Sequence, residues 1–275
     1  MGMVQIIKNI IESLLTVTFA LTPKTVPYIQ QAPDLSMSYK TGFHQTITSD
    51  IENTYIKKES STEQVKASQS NNWWNYPTDI KIAKRNGDDL LVLVNKEYKL
   101  PSSYVPSDLV PASESGIRLG EKFMLRNILV NDLKELLSAA QSDGVDLSIV
   151  SGYRSYQEQV ATYKYWVNYN GGSTDYADMI SARAGHSQHQ LGTAIDFSSA
   201  EINDGLSGIF TNTQASKWLS ENAWRYGFVI SFPKGAEDIT GYSYESWHYR
   251  YIGKENAKEM IESGLILEKY LQSKN

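Results

Sequence analysis

The sequence predicts an α+β fold with a small, mainly antiparallel sheet flanked by helices. Helical and strand-like segments alternate irregularly along the chain. The connections between strands are too short for most right-handed crossovers, which favours antiparallel pairing over a doubly wound parallel sheet. Of the 275 residues, 41% are hydrophobic. This is enough for one sizeable core or two small ones.

The segments that predict this fold can be followed in order. Residues 88–101 form an apolar, β-rich run that ends at a Pro-Ser turn, and residues 102–111 are extended and punctuated by proline. Residues 120–141 place leucine and isoleucine at helical spacing and predict an amphipathic helix. Residues 145–150 then predict a short buried strand.

A second helix is expected to begin at Ser155, because Glu158 follows three residues later as in a capping box, and to end before Gly171 and Gly172. The remaining elements are predicted as a strand at 193–199, a helix at 212–227, strands at 228–232 and 246–253, and a closing helix at 254–264.

Charge and cysteine content exclude several classes of function. The net charge of -5 gives no support for nucleic-acid binding, which favours a basic stripe. The absence of cysteine excludes a disulfide framework, a thiolate zinc site and a cysteine nucleophile. A chain without thiols is also compatible with export.

The first 75 residues are predicted to lie outside the folded domain. Residues 1–25 contain Lys8 and an apolar run with small residues near its end, which predicts a signal peptide or a short membrane anchor, with an amphipathic helix as the alternative. Residues 26–75 are mostly polar and predict a disordered spacer. The folded domain is predicted over 76–275.

Because the chain has no cysteine, a zinc site in it must be built from histidine and carboxylate side chains. His189 and Asp196 lie seven residues apart, and His248 offers a third nitrogen. Taken alone, each histidine is more often a core or surface residue, and an aspartate at the start of a strand is more often a cap or a turn former. Spacing alone therefore leaves the metal site open.

Glu245 precedes His248 by three residues, an offset that puts the two side chains on opposite faces of an unbroken strand. Convergence of the two requires a turn before Trp247. A serine hydrolase is a poor alternative. The segment around Ser187 is similar to the nucleophile elbow, but His189 stands where that motif needs glycine.

Three blocks of sequence resemble a known family. They are SGYRSYQEQ (151–159), SARAGHSQHQLGTAIDF (181–197) and ESWHYRY (245–251), and the segment 90–110 resembles the family's lead-in. In this order and spacing they resemble the VanY-type D-alanyl-D-alanine carboxypeptidases, part of a zinc-peptidase group that includes lysostaphin-like enzymes and the hedgehog domain. The likeness covers roughly residues 85–265. The pattern S-x-H-x-x-G-x-A-x-D is met at Ser187, His189, Gly192, Ala194 and Asp196.

The resemblance implies a zinc site. His189, Asp196 and His248 would hold Zn²⁺, with one position left for water. Glu245 would be the general base. Arg154 would stabilise the oxyanion or bind the substrate's terminal carboxylate.

The resemblance also implies a substrate pocket. Ser181 and Gln159 match family positions near the terminal carboxylate, and Trp247 is expected to shape the pocket. His186 is expected to line the pocket without binding metal. His44 falls in the polar spacer and is expected to be solvated. Ala184 stands where the family often has proline, which we expect to change loop rigidity and not the chemistry.

The implied function is removal of the terminal D-alanine from the stem peptides of bacterial peptidoglycan, outside the cytoplasmic membrane, by a secreted or membrane-anchored enzyme. Three alternatives stay open at this point. They are an L,D-carboxypeptidase, an endopeptidase on the same wall peptides, and a non-catalytic zinc-containing module. The sequence predicts no particular oligomeric state.

Overall fold

The computed structural model describes residues 72–275. The predicted signal or anchor segment, most of the predicted spacer and His44 lie outside the described residues. The domain boundary at residue 76 stays a prediction. In the described part of the chain no helix is both long enough and apolar enough to cross a bilayer.

Within residues 72–275, eight short strands form three sheets. Strands β1 and β2 make a parallel pair, β3 and β4 make an antiparallel pair, and β5 to β8 make a four-stranded antiparallel sheet in the order β5-β6-β8-β7. Their bounds are Lys81–Ile82, Tyr98–Lys99, Leu109–Pro111, Met124–Arg126, Ser148–Ser151, Ala194–Ser198, Phe228–Ile230 and His248–Tyr251.

Seven α-helices accompany the sheets in the described residues, together with several single 3₁₀ turns. Numbered α1 to α7, the helices are Val130–Ser142, Tyr156–Tyr169, Thr174–Ile180, Gln214–Asn222, Glu237–Thr240, Lys254–Ser263 and Leu267–Lys274. The predicted α+β class with a small, mainly antiparallel sheet is therefore confirmed.

The two faces of the four-stranded sheet have different roles. Side chains alternate between faces along a strand. Ile195 and Phe197 of β6 and Tyr249 and Tyr251 of β8 lie in the main core, which also contains the buried leucines of α1. The alternate residues of the same strands face the other way. The sheet is thus apolar on the side of the main core and carries Asp196 of β6 and His248 of β8 on its opposite side.

A second apolar core lies beside the main one. It joins Val229 of β7 and Ile252 after β8 to the buried faces of α6 and α7. Its buried members are Leu93, Val229, Ile252, Ala257, Met260, Leu267, Tyr270 and Leu271. The C-terminal helices therefore pack against β7 and against the end of β8, the strand that carries His248.

The predicted strand over 88–101 is wrong for most of its length. Only Tyr98–Lys99 is a strand, and the rest is a series of turns. The Asp89 carboxylate accepts the N–H of Leu91, and its backbone carbonyl accepts the N–H of Val92. The apolar side chains of this segment are buried in the smaller cores, so their hydrophobicity reflects burial and not strand pairing.

The predicted helix over 120–141 begins ten residues later, at Val130. Met124–Arg126 instead forms β4, where Leu125 is paired with Val110 of β3. This pairing outweighs the helical propensity of the segment, because tertiary contacts override weak local preferences.

Other predicted elements are confirmed. Helix α2 begins with the predicted capping box. The Ser155 hydroxyl accepts the N–H of Glu158, and the Glu158 carboxylate accepts the N–H of Ser155 at 2.8 Å. Helices α3 and α7 were not among the predicted elements. Their lengths of 7 and 8 residues give little room for a periodic pattern.

Candidate active site

His189, Asp196 and His248 converge on one point. Each offers one ligand atom, and these atoms all lie within 4.8 Å of one another. Register explains two of the three positions, because Asp196 of β6 is directly opposite His248 of β8. Residues directly opposite on an antiparallel pair have Cβ atoms about 5 Å apart. The Asp196 Oδ1 to His248 Nδ1 distance is 2.9 Å.

His189 reaches the same point from a 3₁₀ turn, Gln188–Leu191. The Ser187 hydroxyl caps the turn by accepting the N–H of His189, and Gly192 ends it with a φ of +67°. The His189 Nδ1 hydrogen is donated to the carbonyl of Gly152 at 2.7 Å. That bond leaves the Nε2 lone pair directed at Asp196 Oδ2, 3.3 Å away.

His248 faces Asp196 through Nδ1, whereas His189 faces it through Nε2. The Nε2 of His248 lies 3.1 Å from the side-chain oxygen of Gln188. The ring packs edge-on against His189, with 4.9 Å between centroids, and against the ring of Phe232 at 5.0 Å. The imidazole is therefore fixed on three sides.

Glu245 is brought to His248 by a turn, as the sequence required. The N–H of His248 bonds back to the carbonyl of Glu245 at 3.4 Å, which closes a turn just before β8. The Glu245 Oε2 consequently lies 3.7 Å from His248 Nδ1, although the two residues are offset by three.

Arg154 lies at the other side of the cluster and is partly buried. Its guanidinium donates to Gln159 Oε1 at 2.8 Å and to the Ser151 hydroxyl at 2.9 Å, and its backbone N–H donates to the carbonyl of His189. Its Nε has no hydrogen-bond partner within residues 72–275. The guanidinium thus keeps a donor for an added group.

The other predicted pocket residues differ in position. Gln159 Nε2 donates to the carbonyl of Ala182 at 2.6 Å and lies 3.5 Å from the Ser181 hydroxyl, so Arg154, Gln159 and Ser181 are linked. Trp247 alternates with His248 along the strand and packs against the main core. Its part in substrate binding stays a prediction.

His186 lies outside the cluster. It is buried, and its Nδ1 hydrogen is donated to the carbonyl of Asn95 at 2.7 Å. Its ring meets that of Tyr76 edge-on. Burial lowers the pKa of His186 to about 4, which keeps the imidazole neutral at physiological pH.

The electrostatics of the cluster favour a bound cation. Burial raises the pKa of Glu245 well above its ordinary value, the Asp196 charge adds to this, and Arg154 opposes it. Burial would also raise the pKa of Asp196, but the two imidazoles hold it well below its usual range. The buried carboxylate of Asp196 and the partly buried carboxylate of Glu245 thus face one partly buried guanidinium, an imbalance that a divalent cation would offset.

Several residues of the site are not apparent from the sequence. The Ser151 hydroxyl, the Gly152 carbonyl and the Phe232 ring each support a predicted residue. Ser151 and Gly152 lie in the block 151–159, but no feature of the sequence gives them this role. Gln188 and Ser231 belong to the same group. Gln188 had one signal, its position inside the motif next to His189.

Comparison with known proteins places this arrangement in a family. The family model VanY, described as D-alanyl-D-alanine carboxypeptidase, matches residues 122–254. A D-alanyl-D-alanine carboxypeptidase of Enterococcus faecalis is 35% identical over 204 residues, which cover 70% of this chain and 71% of that protein.

The solved structures that resemble the chain include two peptidases. The LdcB LD-carboxypeptidase is 38% identical with a TM-score of 0.61, over 68% of this chain and 88% of that one. The vancomycin resistance D,D-pentapeptidase VanY from a VanB-type cassette, solved with Zn(II), is 32% identical with a TM-score of 0.55, over 68% of this chain and 99% of that one.

The fold and site thus define a peptide hydrolase, a carboxypeptidase of α+β architecture. The chain belongs to the VanY family of D-alanyl-D-alanine carboxypeptidases.

Proposed function

We propose that the protein is a zinc-dependent carboxypeptidase that removes the terminal D-alanine from peptidoglycan stem peptides. The observation that carries this proposal is the convergence of His189, Asp196 and His248, with the Glu245 carboxylate 3.7 Å from His248 Nδ1. Two imidazoles and one carboxylate are a common ligand set for catalytic zinc.

The donor set fits zinc in both chemistry and orientation. His189 would bind through Nε2, His248 through Nδ1, and Asp196 through a carboxylate oxygen, since the other ring nitrogens are engaged by Gly152 and Gln188. When bound, zinc would activate a water molecule and polarise the scissile carbonyl.

Glu245 would act as the general base. Its partly buried carboxylate has a raised pKa, which makes it a stronger base than an exposed glutamate. It would take a proton from the attacking water and pass it to the nitrogen of the leaving D-alanine. The products are then a shortened peptide with a new carboxylate and a free amino acid.

Arg154 would bind the terminal carboxylate of the substrate. Its free Nε and the hydrogen bonds that fix its guanidinium to Gln159 and Ser151 support this role. Ser181, linked to the same group through Gln159, would add a hydroxyl at the carboxylate. A substrate that ends in a free carboxylate fits such an arrangement.

An L,D-carboxypeptidase acting on tetrapeptide stems is the second candidate. The structural similarity to the LdcB LD-carboxypeptidase favours it, at 38% identity. Both activities use the same zinc chemistry, and the shape of the pocket around the penultimate residue decides between them. An endopeptidase on the same peptides is a further form of this alternative. A non-catalytic zinc module has no need of Glu245 or Arg154, which are both partly buried in this site.

The substrate also implies a location. Stem peptides are reached outside the cytoplasmic membrane, so we propose that the enzyme acts there. Residues 1–25, as a signal peptide or an anchor, would serve that location.

Product analysis tests the proposed function. The protein is incubated with purified pentapeptide and tetrapeptide stems, with and without a metal chelator, and the products are identified by mass spectrometry. We expect loss of one D-alanine from the pentapeptide, abolished by the chelator. Cleavage of the tetrapeptide alone would favour the second candidate, and activity that survives complete metal removal would contradict zinc dependence.

A further inference from the structure

The orientation of His248 depends on an acceptor for its second nitrogen. A neutral imidazole carries one N–H and one lone pair. If Nδ1 faces Asp196 as a lone pair, Nε2 must carry the hydrogen. The ring is buried, so this N–H needs an acceptor within the protein.

Gln188 supplies that acceptor. Its side-chain oxygen is 3.1 Å from His248 Nε2, and the Ser231 hydroxyl donates to the same oxygen at 2.7 Å. An amide oxygen has two lone pairs and can accept both hydrogens. Ser231 is itself held at His248, because its backbone N–H donates to the His248 carbonyl at 3.2 Å. The three residues therefore form a closed unit around the ring.

The two histidines of the cluster differ in what holds them. His189 is oriented mainly by a backbone carbonyl, that of Gly152, which no side-chain substitution removes. His248 is oriented at Nε2 by a side chain. Of the two histidines, His248 is therefore the one whose tautomer a single side-chain substitution can change.

We propose that Gln188, supported by Ser231, is a positioning residue that holds His248 as the Nε2–H tautomer and so keeps its Nδ1 lone pair available for the metal. This inference rests on the proposed zinc site and deepens it. Groups that hydrogen-bond to ligand histidines typically contribute about 10- to 100-fold in metal affinity. The effect is expected on zinc binding itself, before any substrate is present.

The test compares zinc affinity among variants of the full chain. Gln188→Met keeps the length of the side chain and removes the acceptor. Gln188→Glu keeps an acceptor oxygen. Zinc dissociation constants are measured at one fixed pH by competition with a chelating dye, because ligand protonation makes the affinity pH-dependent. Nitrogen-15 NMR of the histidine rings reports the His248 tautomer in the same samples.

Gln190→Met is the matched control. Gln190 is a buried amide in the same 3₁₀ turn, but its Nε2 donates to the carbonyls of Pro101 and Tyr104 and not to a histidine. Its loss disturbs the turn to a similar degree without touching His248.

We expect Gln188→Met to weaken zinc binding by about 10-fold or more. In its nitrogen-15 NMR spectrum, His248 should no longer be present as the Nε2–H tautomer alone. Gln188→Glu and Gln190→Met should stay within about threefold of the wild type. Zinc binding by Gln188→Met within threefold of the wild type would overturn the inference, as would equal losses in Gln188→Met and Gln190→Met. Failure of the wild type to bind zinc would instead overturn the proposed function.

Discussion

At the scale of single residues, burial separates two histidines that lie three positions apart in the chain. His189 reaches the metal cluster, while His186 is enclosed by Tyr76 and by the carbonyl of Asn95. Both side chains are buried, so exposure alone does not distinguish them. The groups that each ring contacts do distinguish them. His186 contacts structural groups, the Tyr76 ring and the Asn95 carbonyl, and so has a structural role.

His186 should make the fold sensitive to mild acid. Its pKa is about 4 in the folded protein and about 6.5 in the unfolded chain. Between these values the unfolded chain binds a proton that the folded protein does not, so the free energy of unfolding falls as the pH is lowered from 6.5 to 4. This contribution is on the order of 2 kcal/mol.

Denaturant unfolding of the wild type and of His186→Asn at several pH values measures this effect. Subtracting the two free energies of unfolding at each pH cancels the contribution of groups that both proteins share. One of these is Glu268, whose raised pKa of about 7 makes the folded protein more stable as the pH falls. We expect the acid-induced fall to be smaller in His186→Asn. An identical pH dependence in both proteins would contradict the role given to His186.

The residue scale also shows what the sequence predicts well. The family resemblance of three sequence blocks identified residues that do converge, namely His189, Asp196, His248, Glu245 and Arg154. It did not identify Ser231 or Gly152, because a backbone carbonyl and a lone serine carry no pattern. It gave Trp247 a part in shaping the pocket, which stays a prediction, and the side chain packs against the main core.

At the scale of elements, short segments whose conformation depends on distant partners were the hardest to predict. Leu125 follows a helical pattern but lies in a strand because Val110 is paired with it. The predicted helix α2 was correct because its signal, the capping box of Ser155 and Glu158, is local. A turn whose hydrogen bonds join residues close in sequence is predictable in the same way.

The turn before the motif offers an element-scale prediction. The N–H of His186 bonds to the carbonyl of Arg183 at 2.9 Å, and Gly185 has a φ of +88° while the φ of Ala184 is not positive. This is a type II turn, in which proline is favoured at the position of Ala184. The Ala184 N–H has no acceptor in the described part of the chain, so a proline there loses no hydrogen bond.

We expect Ala184→Pro to raise the free energy of unfolding by about 0.4–1 kcal/mol, because it restricts the unfolded chain. Gly185→Ala is the opposite case. It strains a left-handed position and places a Cβ 3.0 Å from the Leu100 carbonyl oxygen. Chemical denaturation of both variants measures the two effects. A loss of stability in Ala184→Pro would show that the turn is not of this type.

At the scale of the whole molecule, the site depends on strands that are distant in sequence. Asp196 and His248 are 52 positions apart and become neighbours only through the strand order β5-β6-β8-β7. The α+β class follows from segment composition, but this order depends on which strands pair and cannot be read from any one segment. The second core then holds β7 and the end of β8 against the C-terminal helices.

Leu271 of α7 tests the contribution of that second core. Its side chain is 1% exposed, whereas Leu265, just before the helix, is 38% exposed. We expect Leu271→Ala to lower the free energy of unfolding by about 2–5 kcal/mol and Leu265→Ala to change it by less than about 1 kcal/mol. Denaturant titration gives both values. Equal effects of the two substitutions would contradict the packing of α7.

In the proposed site, His189, Asp196 and His248 hold the metal while Glu245 performs proton transfer. Glu245→Gln separates these roles, because the amide cannot act as a base and Glu245 is not among the three proposed ligands. Asp238→Asn, at an exposed carboxylate of the same segment, is the control.

The decisive measurement is the zinc content of Glu245→Gln together with its rate of D-alanine release from a pentapeptide stem. We expect one zinc per chain, as in the wild type and in Asp238→Asn, and a rate lowered by about 100-fold or more. A rate like that of the wild type in Glu245→Gln would contradict proton transfer by Glu245.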